Sequence, residues 1–166
     1  MKLFKKVSAM VVSLLMALAM VVPVAAANPT ITVKNIATDE NVTLSYLKVV
    51  KQDKTTKTGW AFVSDEVTKI FKEEYKKNDA QAILASLANS AAHSKALARL
   101  GNLNGFTKFT DNAGRKTEVD GAGLYVVKVV DNSNKYTYNV MAAPINFDYA
   151  GNPATLRNAE LNVKRS

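Results

Sequence analysis

The chain has 166 residues, no cysteine, a single histidine and a net charge of +8 at neutral pH. The lack of cysteine excludes disulfides and thiol nucleophiles, and one histidine is too few for a classical zinc site. The basic residues are scattered rather than clustered, so the positive charge does not predict a nucleic-acid partner.

The first 27 residues have the pattern of a secretory signal peptide. Three lysines precede an apolar run over 11–22, and small residues follow at 25–27. The apolar run is too short for a transmembrane helix, and an amphipathic anchor is the alternative. We predict an exported protein whose mature part, residues 28–166, forms one domain. The leader holds three of the 22 basic residues and none of the 14 acidic ones, which leaves a net charge of +5.

Alternating apolar and polar residues predict three strands before any helix. The pattern has period two over 30–36 and 42–52, where β-branched and aromatic residues are frequent. A polar, turn-like segment over 53–59 leads to a short apolar strand at 60–63.

A helical insertion is predicted over about 64–100. Ser64 is a candidate N-cap, and apolar residues recur at helical spacing over 65–77. Asp79 then precedes an alanine-rich helix, which we expect to continue to Leu100 with a break near 90–94.

Four strands are predicted after the helices. They cover 105–110, the apolar run 123–130, a segment over 136–150 that Pro144 bends or places at an edge, and 156–164. The order of elements indicates a mainly β fold, an immunoglobulin-like Greek-key β-sandwich with the helices inserted at one edge.

Residues with the chemistry of an active site are scarce, and we predict that the chain is not an enzyme and holds no metal or cofactor. His93 lies among polar neighbours, where an exposed surface histidine is expected, and no Gly-x-Ser-x-Gly elbow accompanies it. The adjacent carboxylates Asp39–Glu40 and Glu73–Glu74 suit solvent better than glycosidase chemistry. A hydrolase that depends on His93 is the least favoured alternative.

Aromatic residues on the third strand and the first helix are predicted to form core packing rather than a ligand site. They are Trp60, Phe62, Phe71 and Tyr75.

Lysine remains as a source of covalent chemistry, because a neutral amine placed against an activated carbonyl forms an amide. Lys34, Lys48 and Lys128 lie inside predicted strands. Each is either an inward-facing lysine whose pKa is lowered by burial or a solvated residue at a strand edge.

Several segments together resemble the N-terminal domain of sortase-assembled pilin (fimbrial) subunits of Gram-positive bacteria. After the leader they are the strand TITVKNI at 30–36, Tyr46–Val49, Trp60–Val63, the alanine-rich helices, Val119–Val127 with its Gly-x-Tyr strand, Asn139–Ile145 and a last strand ending at Val163-Lys164.

The resemblance implies a sandwich related to the B-type collagen-adhesin fold. It also implies head-to-tail assembly, in which a sortase joins the sorting signal of one subunit to a lysine of the next. In the family that lysine closes a Val-x-Val-Tyr-Pro-Lys motif, which corresponds here to residues 159–164 and makes Lys164 the candidate acceptor. Asn162-Val163 replaces the Tyr-Pro pair. The alternative is that Lys164 is an ordinary exposed residue at a strand end.

Many domains of this family contain an internal Lys–Asn amide bond, which we do not expect here. Asp131 lies near the place of the required acid, whereas Asn158 and Asn162 are displaced from the expected asparagine. Because no Leu-Pro-x-Thr-Gly signal follows by Ser166, we expect a first-domain fragment or a product that accepts a linkage without donating one.

The sequence therefore predicts a structural subunit of a cell-surface pilus, secreted to the cell wall and involved in adhesion. Its expected partners are neighbouring pilin subunits, a pilin-class sortase and a host surface ligand, with no nucleic acid. The alternative is a stand-alone secreted module that binds a host or cell-wall ligand, which would need an exposed apolar patch.

Overall fold

The computed structural model describes residues 28–148 and 153–165, so the predicted signal peptide lies outside the described residues. The strands are β1 (Thr30–Lys34), β2 (Val42–Gln52), β3 (Trp60–Phe62), β4 (Thr107–Lys108), β5 (Lys116–Glu118), β6 (Gly123–Asp131), β7 (Met141–Ile145), β8 (Phe147–Asp148), β9 (Thr155–Leu156) and β10 (Ala159–Asn162). The helices are α1 (Asp65–Tyr75), α2 (Ala80–Leu87) and α3 (Ser94–Leu100). None of these helices is long and apolar enough to cross a membrane.

The larger sheet has the order β3-β2-β6-β7, and β4 pairs with β2 outside this order, at Ser45 and Tyr46. Strands β2 and β6 run antiparallel along their whole length, from the pair Val42–Asp131 to the pair Lys51–Gly123. A bulge between Lys48 and Val50 shifts the register. Because a bulge adds one residue, it changes which side chains face each side of the sheet, and both Val49 and Val50 are buried on the helical side.

The smaller sheet has the order β10-β1-β5 and joins the first described strand to the last. Strand β1 pairs in parallel with β10, with Ile31 opposite Ala159 and Lys34 opposite Asn162. Both strands therefore run toward the same end of the sheet.

The two sheets pack face to face around an apolar cluster that we call the inter-sheet core. It contains Ile31 and Val33 of β1, Leu44 of β2, Tyr125 and Val127 of β6, Met141 and Ile145 of β7, and Ala159 and Leu161 of β10. Side chains along a strand point alternately to its two faces. For this reason β6 contributes Tyr125 and Val127 to this cluster, and Leu124 and Val126 to the opposite side.

The helices cover the other face of the larger sheet and enclose a second cluster, the helical core. Its buried helical residues include Val67, Phe71, Ile83, Leu87, Leu97 and Leu100, packed against Val49, Leu124 and Ala142 of the sheet. The helical insertion therefore covers a sheet face, and the expectation that it lies along an edge is wrong. The apolar stripe of each helix needs a broad surface to bury against, which a sheet face provides.

Helices α1 and α2 begin at the predicted caps. The Ser64 hydroxyl accepts a hydrogen bond from the Val67 amide at 3.2 Å, and the Asp79 carboxylate accepts from the Gln81 amide at 3.0 Å. Gln81 also donates to the Trp60 carbonyl at 2.9 Å, which fixes α2 against β3. These side chains satisfy amide groups that have no partner inside a helix.

The predicted fold class, a mainly β sandwich with a helical insertion, is confirmed. The predicted last strand over 156–164 is instead two short strands, because β9 pairs with β8 and the backbone breaks at 157–158 before β10 begins. The predicted strand over 105–110 shrinks to β4, two residues long.

Candidate functional site at the end of the last strand

The segment from Ala159 to Arg165 continues the alternation that the sequence predicts. Ala159 and Leu161 are buried in the inter-sheet core, and Val163 is half-buried against it. Asn162 and Lys164 occupy the intervening positions and are exposed. The side chain of Lys164 therefore lies on the solvent side of the strand end.

The backbone around Lys164 is held by neighbouring chain segments. The Val163 amide donates to the Lys34 carbonyl at 3.3 Å. The Asn139 amide donates to the Lys164 carbonyl at 3.0 Å, and Tyr138 pairs with Arg165 in an antiparallel bridge. Residues 163–165 thus keep an extended, hydrogen-bonded conformation beyond the last residue of β10.

A cluster of four side chains, which we call the strand-end cluster, lies beside this segment. Its members are Glu40, Tyr136, Tyr138 and Arg165. The Arg165 guanidinium donates to Glu40 Oε1 at 2.8 Å, and the Tyr138 hydroxyl donates to Glu40 Oε2. The guanidinium also lies over the Tyr136 ring, with 3.9 Å between its carbon and the ring centroid. The hydrogen bond from Tyr138 and the charge of Arg165 lower the pKa of Glu40, so its carboxyl is ionised at neutral pH.

Asp131 organises the turn that leads to this cluster. Its carboxylate accepts hydrogen bonds from the Ser133 hydroxyl at 2.6 Å and from the amides of Ser133, Lys135 and Tyr136 at 2.8–3.0 Å. These donors, the Ser133 hydroxyl first, lower the pKa of Asp131 to about 2. Asp131 is therefore an ionised turn residue, whereas an internal Lys–Asn amide needs a protonated carboxyl beside it.

The three strand lysines each contact a group other than an asparagine side chain. Lys34 forms an exposed ion pair with Glu160 at 3.0 Å. Lys48 donates to the Asp120 carbonyl at 2.6 Å, and burial lowers its pKa. Lys128 donates to the Gly101 carbonyl at 3.0 Å with its Nζ 4.3 Å from the Phe106 ring centroid.

The two candidate asparagines also have other roles. Asn158 accepts a hydrogen bond from the Thr30 amide at 2.9 Å, and Asn162 accepts one from the Asn35 side chain at 3.0 Å. Both side chains therefore tie β10 to β1.

The aromatic residues and His93, which have the chemistry of ligand binding or catalysis, serve instead in packing. Trp60, Phe62 and Phe71 are buried in the helical core, and Tyr75 packs against it, as predicted. His93 is exposed, and its ring stacks on Tyr75 with 3.9 Å between centroids. Within residues 28–148 and 153–165, no group of three or more acidic or histidine side chains is placed to hold a metal ion.

The carboxylate pairs are not simply solvated. Glu73 and Glu74 both bind Arg99, at 2.8 and 2.9 Å, and so join α1 to α3. Glu40 belongs to the strand-end cluster, a role that its sequence neighbourhood gave no reason to expect. Glu40 and Arg165 carry opposite charges, but they are 125 positions apart, so no local sequence pattern links them.

Large exposed apolar side chains are few in the described part of the chain. They are Val130, 47% exposed, and Tyr136, 42% exposed. The Tyr136 ring is covered on one face by Arg165.

No family model matches the chain, and no curated protein matches it. Among solved structures, its fold is similar to that of the T6 backbone pilin of serotype M6 Streptococcus pyogenes, which is described as a modular three-domain structure decorated with variable loops and extensions. The two share 15% sequence identity and a TM-score of 0.48. The match covers 90% of this chain and 29% of that one, so the chain spans less than a third of the length of that pilin.

Proposed function

We propose that this chain is a structural subunit of a sortase-assembled cell-surface pilus, exported through its leader, and that Lys164 is the acceptor of the amide between subunits. The observation that carries the proposal is the placement of Lys164. It is an exposed lysine at the end of the last strand, on backbone that is hydrogen-bonded on both sides. An exposed lysine on ordered backbone reaches an enzyme's active site at a lower entropic cost than one on a mobile segment.

The proposed reaction is an acyl transfer. The sortase holds the sorting signal of a second subunit as an acyl-enzyme. The neutral amine of Lys164 attacks the acyl carbon, a C–N bond forms, and the bond from that carbon to the enzyme breaks. The departing enzyme group takes up the proton that the amine loses. No oxidant or metal is needed for this exchange.

The parallel pairing of β1 and β10 supports a load-bearing role. Their paired residues run from Ile31 and Ala159 to Lys34 and Asn162 in the same direction. A pull between Asn28 and Lys164 therefore slides one strand along the other. This geometry loads the backbone hydrogen bonds together instead of opening them one after another.

The test is an adduct assay on the chain from Asn28 onward, with a pilin-class sortase and a peptide that bears a sorting signal. We expect one amide on Lys164 by tandem mass spectrometry, and its loss in Lys164→Ala. Lys34→Ala is the matched control, because Lys34 is also exposed and lies at the end of the neighbouring strand. This variant should keep the adduct.

A sortase that is active on a control acceptor but modifies no lysine of this chain would overturn the proposal and favour a stand-alone binding module. An adduct on another lysine would move the acceptor site. The intact mass of the unreacted chain, if lower by one ammonia, would show an internal amide.

A further inference from the structure

We infer that Glu40 is a positioning residue for Lys164: it fastens the chain immediately after this lysine to the segment that pairs with it. The inference rests on the proposed acceptor role of Lys164. Glu40 lies in the loop between β1 and β2, far from Lys164 in sequence. Its two carboxylate oxygens bind different segments, with Oε1 accepting from Arg165 and Oε2 from Tyr138.

The geometry makes Glu40 a clamp across the strand end. Tyr138 and Arg165 are themselves opposite each other in an antiparallel bridge. The Glu40 carboxylate therefore binds both side chains of the Tyr138–Arg165 pair. This pair lies next to the backbone hydrogen bond between Asn139 and Lys164. The side chain of Glu40 is 21% exposed and that of Arg165 is 43% exposed, so solvent screens the pair only in part.

The tyrosines complete the clamp. Tyr136 supports the guanidinium from below, and its own amide is fixed by Asp131 at 2.8 Å. A planar guanidinium that is stacked on a ring and bound to a carboxylate loses little further freedom. Arg165 consequently holds the backbone of its neighbour Lys164 in one orientation.

Holding this backbone matters for acyl transfer because the amine must approach the acyl carbon along a narrow path. Lys164 has a long, flexible side chain, so the fixed backbone supplies the orientation. Residues 163–165 lie at the end of a strand, where fraying is easiest, and the clamp adds side-chain bonds to the backbone hydrogen bonds and the Val163 packing already there. Loss of the clamp does not change the bonds that form and break in the reaction. It lowers the fraction of time in which the backbone of Lys164 has the orientation that acyl transfer needs.

The test compares Glu40→Ala with Glu160→Ala. Glu160 is a matched control, since it is a glutamate with an exposed ion pair, to Lys34, on the outer side of β10. Two quantities are measured: hydrogen exchange of the Asn139 and Val163 amides by NMR, and the initial rate of adduct formation on Lys164. Glu40→Ala should speed the exchange of these two amides by about tenfold relative to the amides that pair β1 with β10 from Ile31–Ala159 to Val33–Leu161.

In Glu40→Ala the adduct rate should fall by about three- to tenfold, mainly through kcat, because the loss is one of orientation. Arg165→Lys keeps the charge but not the stacked, forked geometry, and should fall between wild type and Glu40→Ala. Glu160→Ala should match wild type in both measurements.

Faster amide exchange with an unchanged adduct rate would make Glu40 a structural residue only and overturn the inference. Hydrogen exchange of the Asn139 and Val163 amides that is unchanged in Glu40→Ala would also overturn the inference, since Glu40 would then not stabilise the strand end. No adduct on wild-type Lys164 would instead overturn the proposed function. The exchange measurement would still decide, independently, whether Glu40 clamps the strand end.

Discussion

The two faces of the larger sheet are buried in different ways. The inter-sheet core joins residues from opposite ends of the chain, as in the register pair Ile31–Ala159. The helical core draws most of its residues from one continuous stretch between β3 and the end of α3. One core therefore closes only when distant segments meet, whereas the other is built mainly from local contacts.

Their aromatic packing also differs. In the helical core, Phe62 and Phe71 stack with 4.6 Å between ring centroids, and Tyr75 lies 5.7 Å from Phe71. In the inter-sheet core, Tyr46 meets Phe109 and Tyr125 edge to face at about 6 Å. The strand-end cluster lies beside the inter-sheet core, to which Tyr138 belongs, so the candidate site depends more on this core than on the helical core.

We expect the largest loss of stability from a truncation in the helical core. Phe71→Ala removes a fully buried ring that packs on Phe62, and we expect the free energy of unfolding to fall by about 3–5 kcal/mol. Urea denaturation with linear extrapolation measures this change. Lys69→Ala, an exposed change on the same helix, is the control and should stay within about 0.5 kcal/mol of wild type.

The folded Phe71→Ala protein should still give the Lys164 adduct at the wild-type rate, because Phe71 does not contact the inter-sheet core. A large loss of the adduct in the folded variant would show that the two cores are coupled through β6.

A smaller loss of stability, with a larger effect on the site, is expected from Leu161→Ala. Leu161 is 2% exposed on β10, and its truncation should cost about 2–4 kcal/mol. The variant should also speed hydrogen exchange at the Asn139 amide, which pairs with Lys164. Glu160→Ala, one position earlier on the outer face, is the matched control. Hydrogen exchange at the Asn139 amide that is as slow in Leu161→Ala as in wild type would show that the strand end does not depend on the inter-sheet core.

Much of the fold follows from patterns in the sequence. The period of two over 42–52 predicts β2 with its observed bounds, and the caps Ser64 and Asp79 predict the starts of α1 and α2. These features are local, because each depends on residues within a few positions of one another. The burial of 123–127 on both faces also follows from the sequence, since the apolar residues there occupy both phases of the alternation, whereas Val130 at the end of the same run is exposed.

The strand-end cluster was not predictable in the same way. Only Lys164 was marked as a candidate, by its place at the end of an alternating strand. Glu40 and Tyr138 become its neighbours through the return of the chain after β6, and no local pattern encodes that contact. The bulge after Lys48 was equally hidden, because it shows itself only when β2 is aligned with β6.

The close approach of β6 to β2 at Gly123 is a further place where a substitution tests the packing. At Gly123 an added Cβ would lie 2.2 Å from the Val50 carbonyl oxygen, which a real side chain does not tolerate. Gly123→Ala should therefore cost about 1–3 kcal/mol, since β2 must move away on both faces. Thermal and urea unfolding measure the cost.

Gly121→Ala separates crowding from backbone strain. Its φ is +73°, but nothing lies within 4 Å of an added Cβ, so only the left-handed backbone opposes alanine. We expect a loss of about 1 kcal/mol, less than at Gly123. Equal losses at the two positions would mean that the close approach to Val50 relaxes at little cost.

The last effect depends on pH and concerns the turn after β6, on the inter-sheet side of the molecule. The pKa of Asp131 is lowered to about 2 in the fold, from about 3.9 in an unfolded chain. A carboxyl group whose pKa is lower in the folded state stabilises the fold. This contribution is complete at pH values above the pKa of the unfolded chain, and it disappears as the pH falls through the pKa of the folded state. The melting temperature of wild type should therefore exceed that of Asp131→Asn at pH 5, and the gap should narrow steadily toward pH 2.

The stability falls at low pH because a protonated Asp131 is a weaker hydrogen-bond acceptor than the carboxylate. The ionised carboxylate accepts from three amides and one hydroxyl, and a neutral acid or an asparagine cannot accept from all of them as strongly. Releasing this turn frees the Tyr136 amide and with it the ring beneath Arg165. Amide exchange at Asn139 should thus rise toward pH 2 after correction for the intrinsic pH dependence, while exchange in α1 changes less. A gap between wild type and Asp131→Asn that is constant from pH 5 to pH 2 would contradict the role of the charge.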